Sequence, residues 1–389
     1  MEIKRTLVLP AIVAISSLAN TALANVIEET NVKFSGYLKA DAMFSSYSDG
    51  TLSSGSVGRD FYIPSLTPTG GNEESTQFDA HIKQSRFRFT TDTSLANGKK
   101  LTGVLEFDFH VTSGGDERIS NSYTPRVRHA FIKYDNWLIG QTWSTFQDVR
   151  ALPESVDFIG VTDGTIFVRQ MMVRYTSGNF EIAAENPEST ISNYQAGGRI
   201  VADDSAFPDI TARYTVKGDW GHFAVAGLVR QLSYENKQGG ANIDTSETSI
   251  GLSLTAKFKL GQDDIRLMAN TGKGLGRYLG LNVANGAILN EDNELQIIDS
   301  IGYTIAYRHV WNEKLRSNFM YSAFNADNDM SLNGPINPIK STSSARVNLM
   351  YSPTKELTLG GEYAYAKKEL ESEADGTLGR LQLTAKYAF

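Results

Sequence analysis

The chain of 389 residues contains no cysteine, which excludes a disulfide framework, a thiol nucleophile and any thiolate metal site. Long apolar runs are missing too. After residue 24 no segment approaches the roughly eighteen consecutive apolar residues that a spanning helix requires. Helical periodicity never persists beyond a turn or two. Neither H-E-x-x-H nor G-x-S-x-G occurs, and Gly272-Lys-Gly-Leu-Gly276 lacks the spacing of a phosphate loop. A basic surplus is also absent: the formal net charge of −7 excludes a general nucleic-acid binder.

What is present begins with an export signal. Lys4 and Arg5 precede an apolar stretch from Leu7 to Leu18, and Ala22-Leu-Ala24 supplies small residues at a cleavage site. Residues 1–24 therefore read as a cleaved signal peptide and 25–389 as one domain. Cleavage removes Glu2, Lys4 and Arg5, leaving the remainder one unit more negative than the full chain.

That domain is written in period two. Leu381, Leu383, Ala385, Tyr387 and Phe389 alternate with Arg380, Gln382, Thr384 and Lys386. Successive strand side chains point to opposite faces, so one face here meets an apolar medium and the other a polar one. A chain whose last strand stops on an aromatic resembles the closing strand of a membrane barrel. The pattern recurs from Val32 to Phe44, Leu101 to His110, Ile250 to Phe258, Ile265 to Asn270, Ala345 to Tyr351 and Leu357 to Tyr365.

The spacers alternate in length. Tight ones include Asp135-Asn136, Ser177-Gly-Asn179, Lys217-Gly-Asp219, Trp311-Asn-Glu313 and Ser352-Pro-Thr354. Long ones, rich in Gly, Ser, Asn and Asp, cover residues 45–77, 111–125, 186–208, 231–247, 272–299 and 325–342. Short turns at one end and long loops at the other predict an all-β fold: a transmembrane antiparallel β-barrel of about sixteen strands, in a bacterial outer membrane, with both termini periplasmic. Closure leaves no sheet edge exposed to lipid. A soluble sandwich or propeller is the competing architecture, but it has no need of the short-long alternation.

A barrel of that size is too wide for side chains alone to fill, so its lumen is expected to hold water. The face opposite the apolar positions carries Lys33, Lys39, Arg86, Arg88, Arg126, Arg128, Arg174, Arg213, Lys257, Arg266, Arg308, Arg316, Arg346, Arg380 and Lys386. Its acids are fewer: Asp41, Asp92, Glu106, Asp108, Glu181, Glu185 and Glu362. Cationic groups on a low-dielectric wall concentrate anions, and guanidinium forks suit carboxylates. Pairing across strands explains any one of these residues without explaining the surplus. The densest cluster places Arg86 and Arg88, then Glu106 and Asp108, then Arg126 and Arg128 on three successive strands.

After the strand ending at Trp143, residues 144–165 combine Asp148, Arg150, Glu154, Asp157 and Asp163 with Phe146, Leu152, Val156 and Phe158. Apolar residues in a loop meant only for water are out of place, so this loop is expected to fold inward and narrow the pore, with Asp148, Arg150, Glu154 and Asp157 at the constriction. An outer loop with its own small core is the alternative. Asp108-Phe-His110 puts a carboxylate and an imidazole on one strand face, which would suit an acid-base or metal pair, although a lumenal histidine with satisfied partners is the simpler reading. No cofactor and no metal is expected.

Ile139-Gly-Gln-Thr-Trp-Ser-Thr-Phe146, Ala151-Leu-Pro-Glu-Ser-Val-Asp-Phe158, Phe167-Val-Arg-Gln170, Val173-Arg-Tyr175 and Glu185-Asn-Pro-Glu188 resemble the DcaP-like family of outer-membrane porins. Gly36-Tyr-Leu-Lys-Ala-Asp41, Gln84-Ser-Arg-Phe87, Arg128-His-Ala130 and Gly274-Leu-Gly-Arg-Tyr278 fit the same family. The resemblance implies a homotrimer of sixteen-stranded barrels in outer-membrane lipid, each with an inward third loop and passing small anionic solutes such as dicarboxylates. Arg86, Arg128, Arg169 and Arg174 match the family's segments. Only Asn25 to Asn31 stand where some members carry a coiled-coil extension, and Arg88 stands where the pattern has a smaller residue. The rival readings are a non-channel barrel acting as an adhesin or structural protein, and an outer-membrane hydrolase.

Overall fold

A computed structural model describes residues 30–110, 122–195, 197–238, 242–334 and 336–389. Residues 1–24, expected from the sequence to be a signal peptide, and most of the 111–125 connection lie outside the described residues. No described helix is long and apolar enough to cross a membrane. Crossing falls to strands instead.

The strands are β1 Thr30–Tyr47, β2 Gln77–His81, β3 Arg86–Ser94, β4 Lys100–Asp108, β5 Arg126–Tyr134, β6 Trp137–Trp143, β7 Arg169–Ser177, β8 Phe180–Glu185, β9 Ser189–Ser192, β10 Arg199–Ala202, β11 Asp209–Gly218, β12 Gly221–Asn236, β13 Ile243–Leu260, β14 Asp263–Lys273, β15 Ala287–Leu289, β16 Leu295–Ile297, β17 Asp299–Asn312, β18 Leu315–Asp327, β19 Ile339–Tyr351, β20 Leu357–Leu370 and β21 Asp375–Ala388. Four of them, β9, β10, β15 and β16, form a small sheet at the long-loop end. The other seventeen make one closed antiparallel sheet, in which β1 meets β21 with Tyr37 opposite Ala388 and Tyr47 opposite Leu378. Because β2 and β3 take successive stretches of the same edge of β1, they count as one stave and the barrel has sixteen.

Period-two alternation sorts the faces as expected. Val32, Phe34, Leu38, Phe44, Leu381, Leu383 and Tyr387 are exposed on the outer wall, while Lys39, Asp41, Arg380 and Gln382 are buried against the lumen side. Aromatic rings thicken the outer face near the chain ends, where Phe34 lies 5.0 Å from Phe89 and 5.3 Å from Phe389 between ring centres.

The wall is uneven in height. A strand tilted by about 40° gains about 2.5 Å of height per residue, so β12 and β13, with 16 and 18 residues, stand far taller than β6 and β8, with 7 and 6. The low side runs from β3 to β8.

Three long connections turn inward. Residues 144–168 cross the lumen, and Phe146 packs with Ala226, Leu228, Leu275, Tyr278 and Phe324 in an apolar cluster inside the barrel. Leu275 and Tyr278 come from the 274–298 connection. The first connection, 48–76, reads from sequence as an ordinary outer loop, yet Phe61 and Tyr62 are buried. Tyr62 donates its hydroxyl to Asp163 at 2.8 Å. Three consecutive bulky residues, Phe61-Tyr-Ile63, are the sequence signal for that inward turn, since apolar side chains leave water when a wall is within reach.

Candidate functional site

On the inner face of β3, β4 and β5, antiparallel register sets Arg88 opposite Glu106 and Asp108 opposite Arg126. Between them β5 carries a bulge: Glu106 pairs with His129 and Phe107 with Val127, so Arg128 is the extra residue. A bulge re-aims side chains, and here Arg128 and His129 both end buried although they are neighbours in sequence. Gln141 on β6 donates its Nε2 to the carbonyls of Val127 and Arg128 at 3.2 and 3.4 Å, satisfying bulge carbonyls that the ladder leaves free.

The resulting network is rich in guanidinium. Arg126 grips Asp108 with Nε and Nη2 at 2.9 and 2.8 Å. Arg128 donates Nε to Glu106 at 2.9 Å and Nη1 to Asp108 at 2.8 Å. Arg86 and Arg88 each lie 3.5 Å from Glu106. Four guanidinium groups thus share two carboxylates. Arg169 stands at the mouth of β7 with its guanidinium 4.4 Å from the Trp143 ring centre, and no acidic partner is found for it among the described residues.

The other sequence candidates separate into anchors. Lys39 pairs with Asp41 at 3.1 Å and donates to Gln84 and, at 2.6 Å, to the Val156 carbonyl of the inward loop. Glu154 takes a two-pronged bond from Arg316 at 2.6 Å for each contact. Asp157 pairs with the buried Arg346 at 3.3 Å, and Arg346 also reaches Glu362 at 3.1 Å. Asp148 and Arg150 sit across the lumen. There Asp148 accepts from His222 Nε2 at 2.8 Å and Thr255 at 2.9 Å, and Arg150 donates to Thr215 at 3.1 Å. Arg174 stays at the root of the loop, donating to the Trp143 carbonyl and to Thr145 at 2.7 Å.

These bonds set the charge state of the loop. Burial by itself would raise the Asp148 carboxyl, but hydrogen bonds and charge from His222 and Arg150 outweigh it and hold the group well below the usual carboxylate range. Glu154 is likewise lowered, burial being overcome by Arg316. Burial dominates at Asp163 and raises it.

Glu362 and Lys386 read as lumenal from parity, but their roles emerge only in three dimensions. Glu362 clamps the loop, accepting from Ser155 Oγ at 2.8 Å and Val156 N at 2.9 Å. Lys386 sets its ammonium 4.4 Å from the Tyr37 ring centre and forms no ion pair among the described residues. His110, the candidate partner of Asp108, is fully buried with its ring 4.6 Å from Phe158 and 5.6 Å from His81. It makes no side-chain bond to Asp108: only its backbone N–H reaches that carboxylate, at 3.3 Å.

Two cavities remain beside this cluster. One, of about 280 Å³, opens toward the long loops and is lined by Phe61, Ile63, Arg126, Phe158, Ile159, Phe167, Arg169 and Leu281. The other, of about 190 Å³, lies toward the short turns, between the inward loop and a wall bearing Tyr37, Lys39, Arg86, Thr384 and Lys386.

A closed antiparallel barrel with an apolar outer wall, a charged inner wall and a loop stapled across its lumen has the architecture of an outer-membrane porin. The family model described as DcaP outer membrane protein matches residues 12–389, and the chain belongs to that family. Among solved structures, the outer membrane channel DcaP of Acinetobacter baumannii is 24% identical with a TM-score of 0.76, covering 93% of this chain and 98% of that one. An anion-selective porin from Comamonas acidovorans is 11% identical, TM-score 0.57, over 93% and 100% of the two chains. Outer-membrane expressed OmpT of Vibrio cholerae is 14% identical, TM-score 0.54, over 93% and 98%. At these identities the likeness carries the fold. No curated protein sequence matches.

Proposed function

We propose that this porin conducts small solutes by passive diffusion and prefers anions, dicarboxylates among them. The observation that carries the reading is the imbalance on one side of the lumen. Arg86, Arg88, Arg126 and Arg128 have only Glu106 and Asp108 between them, and Arg169 and Lys386 have no acidic partner among the described residues. Of the acids that also face this space, Glu154 is paired with Arg316, and Asp157 shares Arg346 with Glu362. A partly desolvated cationic wall raises anion concentration locally. Reversal potentials in a salt gradient test the reading, and blockade by succinate tests the solute class. Three loops packed inside a barrel would also suit a non-channel barrel, and a bilayer that stays sealed would favour that alternative.

The same reading places short turns and both termini in the periplasm and takes residues 1–24 as a cleaved leader. It also calls for a homotrimer. Strand β6 rises about 18 Å and β8 about 15 Å, against an apolar belt of about 25 Å. Lipid cannot be met by so low a wall without exposing loop backbone. A second barrel against β3 to β8 would cover it. Cross-linking in native membranes checks this, trimers being the expected product.

A further inference from the structure

The two cavities beside the arginine cluster share one lining residue, Phe158. Toward the long loops its ring bounds the space that Arg126 and Arg169 face, and toward the short turns it bounds the space of Lys39, Arg86 and Lys386. The ring is held from several sides: Phe61 at 5.0 Å, His110 at 4.6 Å and Phe167 at 6.0 Å between ring centres. Two guanidinium groups lie over it, Arg128 at 5.3 Å and Arg126 at 5.6 Å. The backbone beneath is fixed by Asp157, which accepts from Tyr62 N at 3.2 Å and pairs with Arg346.

We infer that Phe158 is the septum of the conduction path, an apolar partition dividing the lumen into an outer and an inner basic chamber. This deepens the channel reading and rests on it. An apolar ring across a narrow wet passage opposes ions by excluding their hydration water. Solute therefore has to be held on each side for transfer to compete, and the basic groups provide that: Arg126 and Arg169 receive an anion, and Arg86, Lys39 and Lys386 take it onward. The negative ring face turned to Arg126 and Arg128 adds to the hold of Asp108 and Glu106 on those guanidiniums, which the carboxylates keep in place without it. Anion preference lies with the basic groups and throughput with the ring.

The chain has no cysteine, so Phe158→Cys creates a unique thiol. The test records single-channel conductance and reversal potential of the purified protein in planar bilayers for wild type, Phe158→Ala and Phe158→Cys. Phe158→Ala is expected to raise conductance by at least about twofold, as widening a hydrophobic constriction does, with anion preference kept. An anionic methanethiosulfonate reagent, which the basic chambers admit, is expected on addition to Phe158→Cys to cut its current and to leave wild type untouched. Unchanged or lower conductance in Phe158→Ala overturns the inference, and an unmodified current in Phe158→Cys overturns it where the alanine variant fails to fold. A wild type that passes no current would instead refute the channel reading.

Discussion

Two arginines of one cluster have different work to do. Arg128 is buried and holds Glu106 and Asp108 together, and removing one member of a buried ion network leaves uncompensated charge. Arg128→Met should therefore lower unfolding stability, by about 3 kcal/mol, as read by urea titration of heat-modifiable migration. Arg169 is bound to no carboxylate among the described residues and stacks on Trp143. Arg169→Gln should leave stability within error and weaken anion preference: a charge about 4 Å from a passing ion contributes about 1 kcal/mol where water screens it as in bulk, a several-fold drop in the anion-to-cation permeability ratio. Parity along the strands was enough to place both residues on the inner face. It was not enough to tell them apart, because the β5 bulge that buries Arg128 depends on a pairing partner that one strand's sequence does not display.

Among elements, the inward loop of residues 144–168 was legible from the apolar residues that its long connection carries among charged ones. Phe146 and Val156 are fully buried, as side chains unsuited to water should be. Its anchors were less legible, since Glu362, Arg316, Arg346 and His222 lie far along the chain and meet the loop only when the barrel closes. The inward first connection is hidden for a different reason: its glycine, serine and threonine content masks Phe61 and Tyr62. The anchors predict a pH dependence. Asp148 and Glu154 have folded-state pKa values below their unfolded ones. Their contribution is thus present above about pH 4 and lost as pH falls through the folded values. Current noise should stay low from pH 7 to 5 and rise only below about pH 4; an onset near pH 6 would contradict these anchors. Glu362→Gln weakens the clamp on Ser155 and Val156 and should raise noise at neutral pH.

Over the whole molecule, strand number and the alternation of turns and loops were readable, because each is a repeated signal that needs no tertiary contact. Unequal wall height was not, since strand ends inside glycine-rich and serine-rich stretches are set by pairing. That asymmetry makes the low side from β3 to β8 the expected contact between copies. Trp137→Arg, on an exposed residue of that side, should shift cross-linked trimers toward monomers, whereas Leu349→Arg on the tall wall should disturb insertion and not the trimer contact. On the function proposed above, the sparse acids beside Arg86, Arg88, Arg126, Arg128 and Arg169 leave the path cationic. The most direct test of that claim is the zero-current potential of single channels across a tenfold potassium chloride gradient. A potential of the sign set by chloride permeation, reduced toward zero in Arg169→Gln, is the predicted result, and a potential of the sign set by potassium would contradict it.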